Sequence, residues 1–368
     1  MIMNYINKYL RNLKPYVLAS HKVWTVSPFE RKEILKLDWN EATIPPSPKV
    51  KKRLLELLQE PDWFHLYPST YNEPLLNALA DYIGISIKNV QYFASSDSLH
   101  EYVCKLYVSV GDPVLILGPT YDNFRLTCQA NGAQVYFSEY NPDFTFNEQR
   151  FEDDIRCFSP SLVYICNPNN PTGYCHSAEY IEHLLKEFPE ALFLIDEAYC
   201  EFAGITATPL VNKYENIIIS RTMSKAFALA NFRFGYVVAP EKIILQINRI
   251  RNPKNISTIT QEAALAALQD LEYMREYVQE VNRAKKDFFA FINKYEKCEA
   301  FWSYGNFILL KMDSEDEKIR LMQYLEEHLI FTRNTAQSRL LDRCFRISVG
   351  TGSQMHKVAK TIQSFYND

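Results

Sequence analysis

Four short stretches of this chain hold residue types that can do chemistry. Lys225 follows the apolar run Ile217, Ile218, Ile219 and two hydroxyl residues, Thr222 and Ser224, and Arg233 comes eight positions after it. A lysine buried near a sheet edge loses hydration and is easier to deprotonate, the condition for its amine to attack a carbonyl carbon. Hydroxyls and a guanidinium beside it can hold a phosphate dianion. Asp196 heads Asp196-Glu197-Ala198-Tyr199, Asn170 sits within Asn167-Pro168-Asn169-Asn170-Pro171-Thr172-Gly173, and Ser95, Ser96 and Asp97 follow another apolar run. Each has a plain explanation by itself. A lone Lys225 is a solvated lysine, Asn, Pro and Gly are the ordinary turn residues, and Asp196, Ser96 and Asp97 are good helix caps.

The elements that must position them follow from the hydrophobic pattern. Apolar runs over Val90 to Ala94, Val114 to Leu117, Gln134 to Phe137, Leu162 to Cys166, Leu192 to Ile195, Asn216 to Ser220 and Gly235 to Ala239 alternate with helical stretches. Several are continuously apolar, as in strands buried on both faces, so the expected fold is α/β with a mainly parallel, doubly wound sheet. Ligands of such sheets sit outside the carboxyl ends of the strands. The four stretches lie at four of those ends and are expected to converge on one crevice, an agreement across levels that outweighs the plain explanations.

Helices are expected over Pro48 to Gln59 and Glu73 to Tyr82, with the loop Leu66-Tyr67-Pro68-Ser69-Thr70 between them. After about residue 241 the pattern changes to one long helical region, Ile259 to Lys294, then strands at Phe307 to Leu310, Ile330 to Arg333 and Phe345 to Val349 around a helix at Glu317 to His328. This predicts a large domain over 46–244 and a smaller α+β domain made of 1–45 together with 245–368.

With 368 residues, 47% apolar and 23% charged, the chain has the composition of an ordinary globular protein. A net charge of -4 with no long basic block argues against nucleic acid or an anionic membrane as the main partner. The N-terminus holds no apolar stretch of signal-peptide length and no run approaches a membrane span, which predicts a cytoplasmic protein. Eight cysteines without CxxC spacing read as reduced core thiols, and seven histidines without HxxxH or HxH pairs predict no metal site.

NPNNPTG, DEAY, RTMSKAFALANFRFGY and FRISVGT, in this order and at these separations, resemble the pyridoxal-phosphate enzymes of aminotransferase fold type I, and most closely the histidinol-phosphate aminotransferase family. The resemblance runs from Asn12-Leu13-Lys14-Pro15-Tyr16 to Gly352. It implies that Lys225 is the Schiff-base lysine and the base that moves the substrate α-proton, and that Asp196 pairs with the pyridine nitrogen. Asn170 and Tyr199 match the donors to the ring 3-oxygen, and Tyr121 matches the aromatic residue on the ring face. Ser95, Ser96 and Asp97 at a helix N-terminus, with Thr222, Ser224 and Arg233, match the cofactor-phosphate site. Tyr67 matches a tyrosine that reaches the neighbouring subunit's phosphate, which implies a homodimer with shared sites. On the substrate side Arg346 matches the arginine that grips a carboxylate, Arg333 and Tyr16 match positions that meet a substrate phosphate, and Asn40 and Asn306 match wall residues.

The chain departs from the family pattern in three places. Ser95-Ser96-Asp97-Ser98 stands where Gly-Ser-Asp-Glu is usual, Ala42-Thr43-Ile44-Pro45 where Asn-Pro follows Asn-Glu, and Asn231 where a glycine is common. The activity implied is an aminotransferase acting on a small phosphorylated amine or keto substrate with a donor such as glutamate. A decarboxylase of phosphoserine or phosphothreonine type uses the same cofactor site and arginines and is the nearest alternative. A regulator that binds the cofactor without turnover is a further one, but such proteins carry a DNA-binding module ahead of the region that begins here near residue 12.

Overall fold

The computed structural model describes residues 6–11, 13–15, 22–27, 29–60, 64–335 and 338–367. Tyr16 lies outside them. After β1 (Leu35–Lys36) come the seven strands of a large sheet: β2 (Val90–Phe93), β3 (Pro113–Gly118), β4 (Gln134–Glu139), β5 (Leu162–Cys166), β6 (Leu192–Asp196), β7 (Ile217–Thr222) and β8 (Gly235–Val238). They are followed by β9 (Cys298–Phe301), β10 (Phe307–Met312), β11 (Ile330–Phe331), β12 (Arg333–Asn334) and β13 (Cys344–Ser348).

The large sheet has the order β2-β8-β7-β6-β5-β3-β4. Its central strands are continuously apolar because both faces are covered. In β5, Val163 and Ile165 join one buried cluster while Leu162, Tyr164 and Cys166 join another; in β7, Ile217 and Ile219 face the first and Ile218 the second. Each fully buried Val, Leu or Ile contributes about 1.5–3 kcal/mol of transfer free energy. The strands run parallel except β8, which is antiparallel to both β7 and β2. Since β2 and β7 are each antiparallel to β8, the carboxyl end of β2 opens on the same edge as those of β5, β6 and β7.

Two expectations for the later part of the chain need correction. The long helical region 259–294 is two helices, Thr258–Leu268 and Leu271–Ile292. The break falls where the start of the helix Pro48–Gln59 meets the chain: Ser47 bonds the Asp270 carboxylate, and the Lys49 ammonium donates to the Gln269 carbonyl at 2.7 Å. The run Ile330 to Arg333 is likewise divided at Thr332. β11 pairs in parallel with β1, whereas β12 joins the antiparallel sheet β12-β13-β10-β9. In that sheet Arg333 stands directly across from Arg346. A helix at Glu241–Ile250, which the sequence pattern did not single out, follows β8.

Candidate active site

At the carboxyl edge of the large sheet, β6 ends in Asp196, which is flanked in register by Cys166 of β5 and Ser220 of β7. Three residues past the end of β7, the Lys225 amine donates to the Trp39 carbonyl at 2.9 Å and lies 5.8 Å from the centroid of the Tyr199 ring. These groups face a cavity of about 960 Å³. Of the described residues to which the sequence pointed, all but Ser95, Asn40, Asn306 and Tyr67 line it.

Those four are placed differently. Ser95 caps the helix Ser96–Tyr107 by accepting the Ser98 N–H at 3.2 Å, and its φ of 119° turns the chain off β2. Asn40 also has a left-handed backbone, with φ 55°, a conformation in which Asn is enriched. Its N–H donates to Ser348 Oγ at 2.9 Å, Ser348 Oγ donates to Asn40 Oδ1 at 3.0 Å, and Asn306 Nδ2 donates to the Asn40 carbonyl at 3.1 Å. Held so, Asn40 sends its amide to the Tyr199 hydroxyl at 3.1 Å, beside the Asn170 amide at 3.2 Å. Tyr67 is 78% exposed, with the Lys254 ammonium 4.1 Å from its ring centroid.

Charge is divided between two ends of the cavity. At one end Arg233 donates to Ser224 Oγ at 3.4 Å and lies 3.6 Å from Asp97, while Tyr121 donates to the same carboxylate at 3.1 Å. First-turn N–H groups of a helix have no intrahelical acceptor, and here the helix start at Ser96 lies beside these hydroxyls. At the other end Arg346 donates to Asn170 Oδ1 and to the Asp38 carbonyl, next to Arg333. Lys36 bridges Asp38, at 2.8 Å, and Glu41, with its ammonium 4.0 Å from the centroid of the Trp39 ring.

Burial shapes the two central ionisable groups. It pulls the Lys225 amine from its ordinary 10.5 down to about 8, with the Arg346 charge acting in the same direction. It raises the Asp196 carboxyl, against which act His100 and a hydrogen bond from Tyr164. Neither of those two was anticipated. Tyr164 carries a signal of sorts, a hydroxyl inside an otherwise apolar run; His100 is one helical turn past Ser96, and nothing local marks it.

The family model for aminotransferase class I and II matches residues 32–362. The chain belongs to the class I and II aminotransferase family. This aminotransferase is 40% identical over 364 residues to a dihydroxyacetone phosphate transaminase of Campylobacter jejuni, covering 98% of this chain and 96% of that one. It is 32% identical over 322 residues to a histidinol-phosphate aminotransferase of Ruminiclostridium cellulolyticum, covering 87% and 89%. Its fold matches the crystal structure of histidinol-phosphate aminotransferase from Sinorhizobium meliloti in complex with pyridoxal-5'-phosphate, with a TM-score of 0.86, 25% identity and 98% of each chain covered. The aminotransferase is thus a pyridoxal-phosphate enzyme of fold type I.

Its residues fit that cofactor. An added Cβ at Gly235 would stand 2.4 Å from Ser95 C and Ser96 N, so only glycine lets β8 pass directly against the helix N-terminus that faces Thr222, Ser224 and Arg233. Free N–H groups, two hydroxyls and a guanidinium are the donor set that suits a phosphate, and Asp196 and Lys225 line the same cavity. No helix among the described residues is long and apolar enough to cross a membrane.

The depressed Lys225 value has a consequence in the aminotransferase freed of cofactor. Between about pH 8 and 10.5 the folded protein has released a proton that the unfolded chain still holds, so this group's contribution makes stability rise with pH across that window. Lys285, buried and also drawn down to about 8, adds a rise of the same sign. Comparing chemical denaturation of the apoprotein and of Lys225→Met at neutral pH and near pH 10 isolates the first, because Lys285 is common to both. The variant should gain less stability; equal gains would exclude a depressed Lys225.

Proposed function

We propose that this aminotransferase moves an amino group from an amino acid such as glutamate to a small phosphorylated keto substrate, or the reverse with the corresponding amine. The observation that carries this reading is the register pairing of Arg333 with Arg346 on β12 and β13. Like charges directly opposite are destabilising, and both arginines are buried, so a dianion is the partner this pair suits. Dihydroxyacetone phosphate, named in the relative that is 40% identical, is the first acceptor to try.

Pyridoxal phosphate, when bound, draws electrons from the substrate α-carbon and makes its proton acidic. The protein's own groups do the rest. Asp196, ionised, would hold the ring nitrogen protonated, and Asn170 and Tyr199 would face the ring oxygen. Lys225, whose amine is poised near neutral pH, would take the α-proton and return it. Ser96, Asp97, Thr222, Ser224 and Arg233 would anchor the phosphate, with Ser95 holding the helix start and Tyr121 beside it. Arg346 would grip the donor's carboxylate, Arg333 the substrate phosphate, and Asn40 and Asn306 would form the wall behind Tyr199.

The same proposal includes a homodimer in the cytoplasm, with Tyr67 reaching the neighbouring subunit's phosphate. Supporting it, Leu58, Leu66 and Tyr71, close to Tyr67 along the chain, are exposed as it is. A monomer in sedimentation analysis removes this part. A division into 46–244 and 1–45 with 245–368 is supported by the pairing of β1 with β11, which ties the first segment to the last.

A spectroscopic screen tests the reading. Glutamate alone should aminate the bound cofactor, and dihydroxyacetone phosphate should restore it, without carbon dioxide release from phosphoserine or phosphothreonine. If neither glutamate nor any of a panel of phosphorylated amines aminates the cofactor, the transferase assignment to these substrates is wrong; carbon dioxide release would move it to decarboxylation.

A further inference from the structure

Asp196 is held by more than its strand end supplies. The Ala198 N–H donates to Oδ1 at 3.1 Å, and the Tyr164 hydroxyl donates to Oδ2 at 2.9 Å from the adjacent strand. His100, on the helix Ser96–Tyr107, brings Nε2 to 3.9 Å from that same Oδ2. The imidazole is 1% exposed and stands edge-on to the Phe124 and Tyr164 rings, with centroids 5.5 and 5.8 Å away. Those two rings stack at 4.2 Å, which fixes the phenol in line with the carboxylate.

The position of the ring proton follows from its neighbours. His100 Nε2 is 3.0 Å from Ser220 Oγ, the residue across from Asp196 in the sheet, while buried Nδ1 has no hydrogen-bond partner. A proton on Nδ1 alone would leave a buried N–H orphaned, which costs more than leaving a bare lone pair there. The proton therefore belongs on Nε2, between Ser220 and the carboxylate.

We propose that His100 and Tyr164 are positioning residues that keep the Asp196 carboxylate ionised and aimed at the cofactor ring. Burial disfavours the charged carboxylate, and the nearby Asp97 charge adds to that; the Tyr164 hydrogen bond and the positive Nε2–H end of the His100 ring act against both. Burial and the Asp196 charge hold the Tyr164 phenol protonated, so its donor is available at every working pH. Cys166 on β5 and Tyr199 beyond β6 also face this carboxylate, and burial raises both above their ordinary values, so they stay neutral there.

The inference rests on the assignment of Asp196 to the cofactor ring, and its test separates the two. Nitrogen-15 NMR of the apoprotein, with His100 identified by its absence in His100→Gln, should show Nε2 protonated; an unprotonated Nε2 overturns the proposal. Titration of apoprotein with pyridoxal phosphate should show affinity falling by about 10-fold in His100→Leu and in Tyr164→Phe, with His100→Gln, which restores a donor, within about 3-fold of the parent. The acid limb of the activity profile should move to higher pH in the first two. If Asp196→Asn weakens the cofactor site while His100→Leu and Tyr164→Phe, both folded, change neither affinity nor the acid limb, the positioning role is wrong. If Asp196→Asn itself changes nothing, the assignment of Asp196 is what fails. Should His100→Leu not fold, the nitrogen measurement and Tyr164→Phe decide.

Discussion

Lys225→Ala is expected to lower turnover by about 10⁴-fold or more while leaving the fold intact. The lysine would supply both the attachment point and the acid–base group, and acid–base catalysis by one side chain alone is worth about 10²–10⁴-fold. Little in the structure leans on it. Its amine makes a hydrogen bond to the Trp39 carbonyl and is held in an environment that disfavours its charge. Removing it should therefore not lower the unfolding midpoint, and the cofactor should still dock through its phosphate end. Borohydride reduction of the loaded protein followed by peptide mass measurement should find the cofactor on Lys225 in the parent and nowhere in the variant. Retention of more than about one part in a hundred of the activity would remove Lys225 from the chemistry.

Asp196→Asn should cost about 10³-fold in the rate of the half-reaction with glutamate, the scale seen when one preorganised electrostatic group is lost. Asparagine has the same shape, so Oδ1 or its equivalent can still accept from Tyr164 or from Ala198, both of which now hold the carboxylate. What disappears is the negative charge facing the cavity. Stability should move the other way. Burial raises the folded-state carboxyl above its ordinary 3.8, so the folded protein keeps a proton that the unfolded chain releases, and native stability falls as pH rises through that window. The asparagine variant escapes this loss, and the apoprotein carrying it should be at least as stable as the parent at neutral pH. A rate within about 10-fold of the parent would show that the charge is not used.

These outcomes bear on residues that the sequence pattern singles out. Lys225, Asp196, Asn170 and the Ser95–Asp97 stretch were legible because a strand end in a parallel sheet is a predictable place for polar residues, and each follows a run apolar enough to be buried on both faces. The direction of β8 was not legible, because an apolar run carries no polarity of its own. Nor was the break at Gln269 and Asp270. Asp270 is the N-cap residue of the second helix, but an aspartate inside an apolar-periodic run is a weak signal; in the fold, Ser47 and Lys49, more than two hundred positions away, bond to these two residues.

Composition and order along the chain predict the sheet and the crevice, since buried strands and polar strand ends are local properties, and the chemistry follows from the family that the motifs there resemble. What surrounds that chemistry was set by packing in three dimensions. It set Arg333 opposite Arg346 by giving the two halves of one apolar run to different sheets, and it brought His100 from a helix and Tyr164 from a strand to the same carboxylate oxygen. Such meetings depend on packing between elements far apart in the chain, where spacing along the sequence holds no information.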